Sequence, residues 1–416
     1  MRRPLLLGGA ALVVLLGGAA VAYVLYKKHQ SRNIHGSASV EFVTTQTTPH
    51  RTPAELRRVP WPTYGRDDQR QRVAEDIHLR PPFRKLWVAR GGNLLEFPPA
   101  VGYGRLYFAN NPGTLFAVGT RNGKRAWTFA THRCTAASPD VDHNTVFASF
   151  MNRGACNQTR SNLDGMVAAL AVGNGKPRWT TKIGPTESSP LVANRRIYVG
   201  DWRGKVYALD ERTGKIRWSF QTGGKVKGAV ALLGNRLFVG SYDGHLYALN
   251  ARTGHEIWRA SAQSRLGSLG TFYSTPAVGY GRVYIGATDG KVYSYGAASG
   301  KLRWSHGTGG YVYSSPAVWN RRVYAGSYDH NFYCFDAATG DVRWRFHANG
   351  PISGSPTIIG RVVYFATLSR RTYALDAVTG RQVWTFPDGK YSPVVADSKR
   401  LYLVGYTKVY GMVPRR

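Results

Sequence analysis

The chain has 416 residues, with 56 Lys and Arg against 23 Asp and Glu, which gives a net charge of +33 and a pI near 10.4. Such a field favours anionic neighbours: wall polymers, lipid headgroups, acidic proteins or nucleic acid. No nucleic-acid motif accompanies the charge, so nucleic acid is set aside as a partner.

Residues 1–3 form a short end, assigned to the cytoplasm. Residues 4–26, "PLLLGGAALVVLLGGAAVAYVLY", carry no charge over 23 residues, enough for a helix to cross a bilayer core. A cleaved signal peptide is the rival reading, with "AVA" at 20–22 as a cleavage site. The apolar run exceeds the 7–15-residue core of such peptides, and Lys27-Lys28 closes it, so an uncleaved single-pass anchor is expected. Flanking charges are nearly balanced and do not set its orientation. No Cys ends the segment, which excludes a lipoprotein anchor. Residues 27–60 are polar and read as a stalk or linker. Residues 61–80, beginning "WPTYGRDDQRQR", read as a strap over one side of the following domain.

From residue 81 the chain repeats. An eleven-residue frame, small residue first and Trp last, occurs seven times, ending at Trp127, Trp179, Trp218, Trp258, Trp304, Trp344 and Trp384. "ALDERTGKIRW" and "CFDAATGDVRW" are two copies. Each holds a Gly four residues before the Trp, as a hairpin turn with φ > 0 requires. Asp210, Asp336 and Asp376 hold their turns through Asx-type bonds. Gly119, Ala171 and Gly296 lack that handle, so those turns are expected to be looser. A second hairpin such as "RLFVGSYDGHLYALN" and a short strand such as "STPAV" precede each frame. Counting from Trp87, the Trp spacings are 40, 52, 39, 40, 46, 40 and 40. Four strands per roughly 40 residues is the size of a β-propeller blade.

The last unit, "YSPVVADSKRLYLVGYTKVYGMVPRR", has three strands and no Trp, whereas "FRKLWVAR" at the start is an outer strand without its blade. Joining them closes the ring and removes an open edge. The expected fold is therefore all-β: an eight-bladed propeller over residues 81–416, with Trp87 at the eighth Trp position.

The small–Gly–Trp frame resembles the tryptophan-docking motif of the pyrroloquinoline-quinone (PQQ) repeat family. The resemblance implies that each Trp packs against a neighbouring blade, with Cys334, Gly340 and Trp344 forming one joint. It makes the eight Trp residues structural. It does not fix an activity, because that family contains both cofactor enzymes and non-enzymatic propellers.

Cys134 lies between two blades and Cys156 in the inserted stretch of the 52-residue unit. In a four-stranded meander those loops emerge on one face, so the thiols can meet. An oxidised pair places the domain outside the cytoplasm. Cys334 fills a small slot and reads as a buried, inert thiol.

Propeller ligands sit at the axis, near the start of the innermost strands. Aligning the units on their Pro residues puts Glu96, Glu187, Tyr273, Tyr313, Ser353 and Lys390 in one axial ring, and the unit without a Pro, "GGKVKGAV", places Lys227 there. Both long insertions, 134–164 and 259–275, emerge on the same face, which makes it the candidate binding face. Enzymes of the resembled family hold PQQ beside Ca²⁺ and use a carboxylate base, and many carry a disulfide between adjacent Cys residues. Ca²⁺ needs six to eight oxygen ligands. This ring offers two carboxylates opposed by Lys227 and Lys390, and the chain has no adjacent Cys pair. No metal ligand set is seen.

The sequence thus reads as a membrane-anchored, extracytoplasmic binding scaffold of the cell envelope, with no cofactor and no catalytic residue expected. Its expected partners are envelope proteins or anionic wall or lipid polymers. A PQQ-dependent alcohol or sugar dehydrogenase is the alternative, and an envelope sensor domain the second.

Overall fold

The recurrent Gly and Trp are two halves of one contact. In the computed structural model, which describes residues 15–25, 32–45, 53–154, 156, 159–263 and 270–415, all seven turn glycines have φ between +66° and +80°. At Gly340 a Cβ would stand 2.7 Å from the Trp304 ring, so the position needs both a left-handed backbone and an absent side chain. The Trp comes from the preceding blade. Gly340 receives Trp304, and Trp344 goes on to Gly380. The joint is therefore Trp304–Gly340, not Cys334, Gly340 and Trp344 together. Cys334 instead faces Trp344 across its own hairpin, where the small residue is followed by a register shift.

The turns lacking Asp are not looser. Gly123, Gly175 and Gly300 donate to Gly119, Ala171 and Gly296 at 2.8–2.9 Å, matching Gly214 to Asp210 at 2.8 Å. Asn122, Asn174 and Ser299 inside those turns accept the following backbone N–H instead.

Eight antiparallel four-stranded blades form the ring, and Val73–Ala74 adds a fifth, parallel strand to the blade of Thr357–Ile359. The strand Phe83–Arg90 pairs with Lys408–Pro414 and completes the blade begun by Val394–Ala396 and Leu401–Val404. Gly411 lies opposite Trp87, where a Cβ would approach the indole to 2.1 Å. It takes the small slot in the blade built from both ends of the chain. Trp384, the last in the series, meets no turn glycine among the described residues; it packs edge-on against Phe83 at 5.5 Å. Apolar clusters fill the spaces between neighbouring sheets.

The segment before the propeller is built into it. Residues 61–74 do not cover one side as a strap; they run once around the inside of the ring. Trp61 pairs with Val101 of the first innermost strand. The carbonyls of Pro62, Asp68, Gln69, Gln71 and Arg72 then accept from Val141, Leu232, Val278, Val318 and Ile358 in turn. Innermost strands expose backbone groups to the channel, and this inner turn satisfies them. The fully buried Arg70 donates to the carbonyls of Val230 at 2.8 Å and Pro190 at 3.1 Å, and to Thr63 Oγ1 at 2.6 Å.

Residues 32–45 are likewise not a free stalk. Ile34 bridges Ser305 on an outer strand. The carbonyls of Ser37, Val40 and Glu41 accept from the guanidinium of the fully buried Arg282. Glu41 also pairs with Arg303.

The expected anchor at 4–26 is only partly described, since residues 4–14 and 26 lie outside the described residues. The described residues 15–25 are helical. Among the described residues no helix is long and apolar enough to cross a membrane. A transmembrane span is therefore not supported there.

Candidate functional site

At the face where blade connections emerge, the axis opens into a cavity of about 320 Å³. Its floor is Tyr64, from the inner turn of chain. The Tyr64 hydroxyl bonds to Ser355 Oγ at 2.7 Å and lies 3.3 Å from Ser315 Oγ. Below it the Arg72 guanidinium stacks 4.6 Å from the ring centroid. Burial raises the phenol pKa, but the Arg72 charge and the serine contacts outweigh it and hold the pKa below the ordinary tyrosine value. The channel is blocked there, and the cavity is blind.

Six of the seven ring residues line this cavity: Glu96, Glu187, Lys227, Tyr273, Tyr313 and Ser353. They come together because each sits just before the short innermost strand of its own blade. Lys390 is the exception. It is not in the lining and lies over the rings of Tyr391 and Tyr406, at 5.1 and 4.9 Å.

Lys227 Nζ stands 3.5 Å from Glu187 Oε1 and 4.1 Å above the Trp202 ring, with Tyr242 and Tyr273 within 5.6 Å. The ammonium is thus held by one carboxylate and several aromatic faces. Burial raises the Glu187 pKa against the opposing charge of Lys227. Burial, reinforced by the negative charge of Glu187, pushes Glu96 up to about 7.

An aromatic arc forms the wall. Tyr273 and Tyr313 have centroids 4.8 Å apart, Tyr313 and Tyr328 5.0 Å, and Tyr242 and Tyr273 6.3 Å. Tyr242 and Tyr328 were missed in the sequence, yet a signal was present. The second hairpins carry "DWRG", "SYDG", "SYDH" and "GYTK", with Trp202, Tyr242, Tyr328 and Tyr406 in register on the loop that emerges beside the axis. Tyr64 had no such signal, because nothing in a single sequence says that a leading segment enters the ring.

Cys134 and Cys156 are bonded, with Cα atoms 5.3 Å apart. The bridge packs with Phe97, Ala136, Met151 and Trp202, and Phe97 also lines the cavity. Cys334 is buried, and burial pushes its thiol up to about 12.

The sequence profile described as outer membrane protein assembly factor BamB matches residues 163–330 and 289–414. The chain belongs to this family of PQQ-like repeat propellers. It is similar to the quinohemoprotein alcohol dehydrogenase of Comamonas testosteroni, at 34% identity over 188 residues, 44% of this chain and 21% of that one. It is similar to the outer membrane protein assembly factor BamB of Burkholderia pseudomallei, at 25% identity over 131 residues, 31% of this chain and 32% of that one. The matches thus span about a fifth to a third of these curated relatives. The crystal structure of the Comamonas testosteroni enzyme superposes with a TM-score of 0.71 at 14% identity, over 86% of this chain and 81% of that one, a likeness of fold.

Proposed function

We propose that this PQQ-like propeller is an extracytoplasmic binding scaffold whose blind axial pocket holds a ligand without oxidising it. The observation that carries the reading is the Lys227–Glu187 pair inside the pocket. A quinone site with Ca²⁺ needs several oxygen ligands, carboxylates among them. Here one of the two lining carboxylates already faces an ammonium 3.5 Å away, and burial favours the protonated form of the other. Among the described residues no three His, Cys, Asp or Glu side chains gather in a metal-holding group. The donor set does not fit PQQ with Ca²⁺.

Export is supported by the Cys134–Cys156 bridge, since such bonds persist in oxidising compartments. Membrane attachment rests on the uncharged run at 4–26. Envelope proteins or anionic wall and lipid polymers suit the charge: 12 of the basic and 6 of the acidic residues precede residue 81, which leaves +27 on the propeller. The dehydrogenase reading is favoured by the match to an alcohol dehydrogenase. Dye reduction with alcohols and aldoses after PQQ and Ca²⁺ loading separates the two. No turnover is expected, whereas turnover that disappears in Glu187→Gln would make the protein a quinone-dependent dehydrogenase.

A further inference from the structure

Five tyrosine hydroxyls around the axial pocket, those of Tyr242, Tyr273, Tyr313, Tyr328 and Tyr391, make no hydrogen bond to another described group of the protein. None of the five hydroxyls is among the buried polar atoms without a partner, so they are open to the recess, where a ligand group can take the place of water. All five side chains are half-buried, and four form the aromatic arc.

The lining holds one charge not paired within it, the Glu96 carboxylate, which burial pushes toward its neutral acid. Lys227 is matched by Glu187, and Lys390 stands outside the lining on its own aromatic rings. The volume equals roughly ten waters at ~30 Å³ each, near the lower end of ligand pockets, ~300–1,000 Å³. Because Tyr64 closes the floor, anything longer than one ring must leave by the mouth. A flat apolar face, several hydroxyls and no net charge are what the tyrosine faces and phenol groups complement.

We propose that the axial pocket binds one neutral pyranose ring, the free end of a glycan, stacked on the tyrosine arc and hydrogen-bonded by its unpartnered phenols. This rests on the binding reading of the same site. A pocket built to bond hydroxyls discriminates against ligands lacking them, because its own polar groups are then left unpaired.

Isothermal titration of the full chain with methyl glucoside, methyl galactoside and methyl N-acetylglucosaminide tests this, with glucuronate and choline as charged comparisons. At least one neutral glycoside is expected to bind ten-fold or more tightly than either charged probe. Tyr273→Phe and Tyr313→Phe keep the ring and remove the hydroxyl; each is expected to weaken that binding about ten-fold or more while the melting temperature holds. Preferred binding of choline would make the arc a cation box, preferred glucuronate an anion site, and no glycoside binding would leave the phenols unexplained. Each of these overturns the proposal, as would full affinity in both Phe variants. Glycoside binding accompanied by PQQ-dependent oxidation would sink the scaffold reading and leave the sugar site standing. No binding and no turnover would do the reverse.

Discussion

Single side chains set both the ring joints and the pocket charge. Trp304 is fully buried and its indole N–H donates to Ala337 O at 2.9 Å, whereas Trp344 Nε1 is buried without a partner. Trp304→Ala is expected to cost about 3–5 kcal/mol. Trp304→Phe should be more destabilising than Trp344→Phe by about 1 kcal/mol, the worth of one hydrogen bond, as urea unfolding would measure. Equal losses would show that the indole bond contributes nothing. Glu96 gives a pH effect of determined sign. Its folded pKa is raised to about 7 from an unfolded value near 4.5, so between those values the folded state binds the extra proton. Stability should therefore fall as pH rises from about 5 to 7. Glu96→Gln should flatten that slope in thermal melts recorded across the interval, and an unchanged slope would assign the effect elsewhere.

The elements outside the blades decide what the channel is. Removing residues 1–45 strips the carbonyls of Ser37, Val40 and Glu41 from the buried Arg282. Stability should drop by ~1–3 kcal/mol, the cost of a buried donor left unsatisfied, with faster amide exchange in 277–307 by hydrogen-exchange mass spectrometry. A chain beginning at residue 79 loses the inner turn as well. The amides of Val141, Leu232, Val278, Val318 and Ile358 then face an open channel, and pocket binding should disappear along with its Tyr64 floor. The repeat frame made the blades legible because turn glycines and docking tryptophans act within about 40 residues. The inner turn was illegible, because its bonds to the blades join backbone atoms across some 40 to 290 residues and leave no side-chain pattern. Aligning the repeat units placed six of seven ring positions in the pocket, since the meander repeats; Lys390 differs because its chain points it at Tyr391 and Tyr406.

For the whole molecule, the closure and the charge matter most. Deleting residues 81–90 removes Trp87 and the strand paired with Lys408–Pro414, and leaves an open edge. Aggregation on light scattering is expected, and a soluble monomer of unchanged stability would show that the ring does not depend on that seam. The central claim is that this propeller binds at its axis without serving as a cation and quinone site. Equilibrium titration of Ca²⁺ with PQQ present tests it most directly, on the wild type and on Glu187→Gln. The ammonium of Lys227 beside Glu187 predicts no saturable Ca²⁺ site up to about 1 mM, the weak end of natural calcium sites. A saturable site in the wild type that is lost in Glu187→Gln would contradict the account.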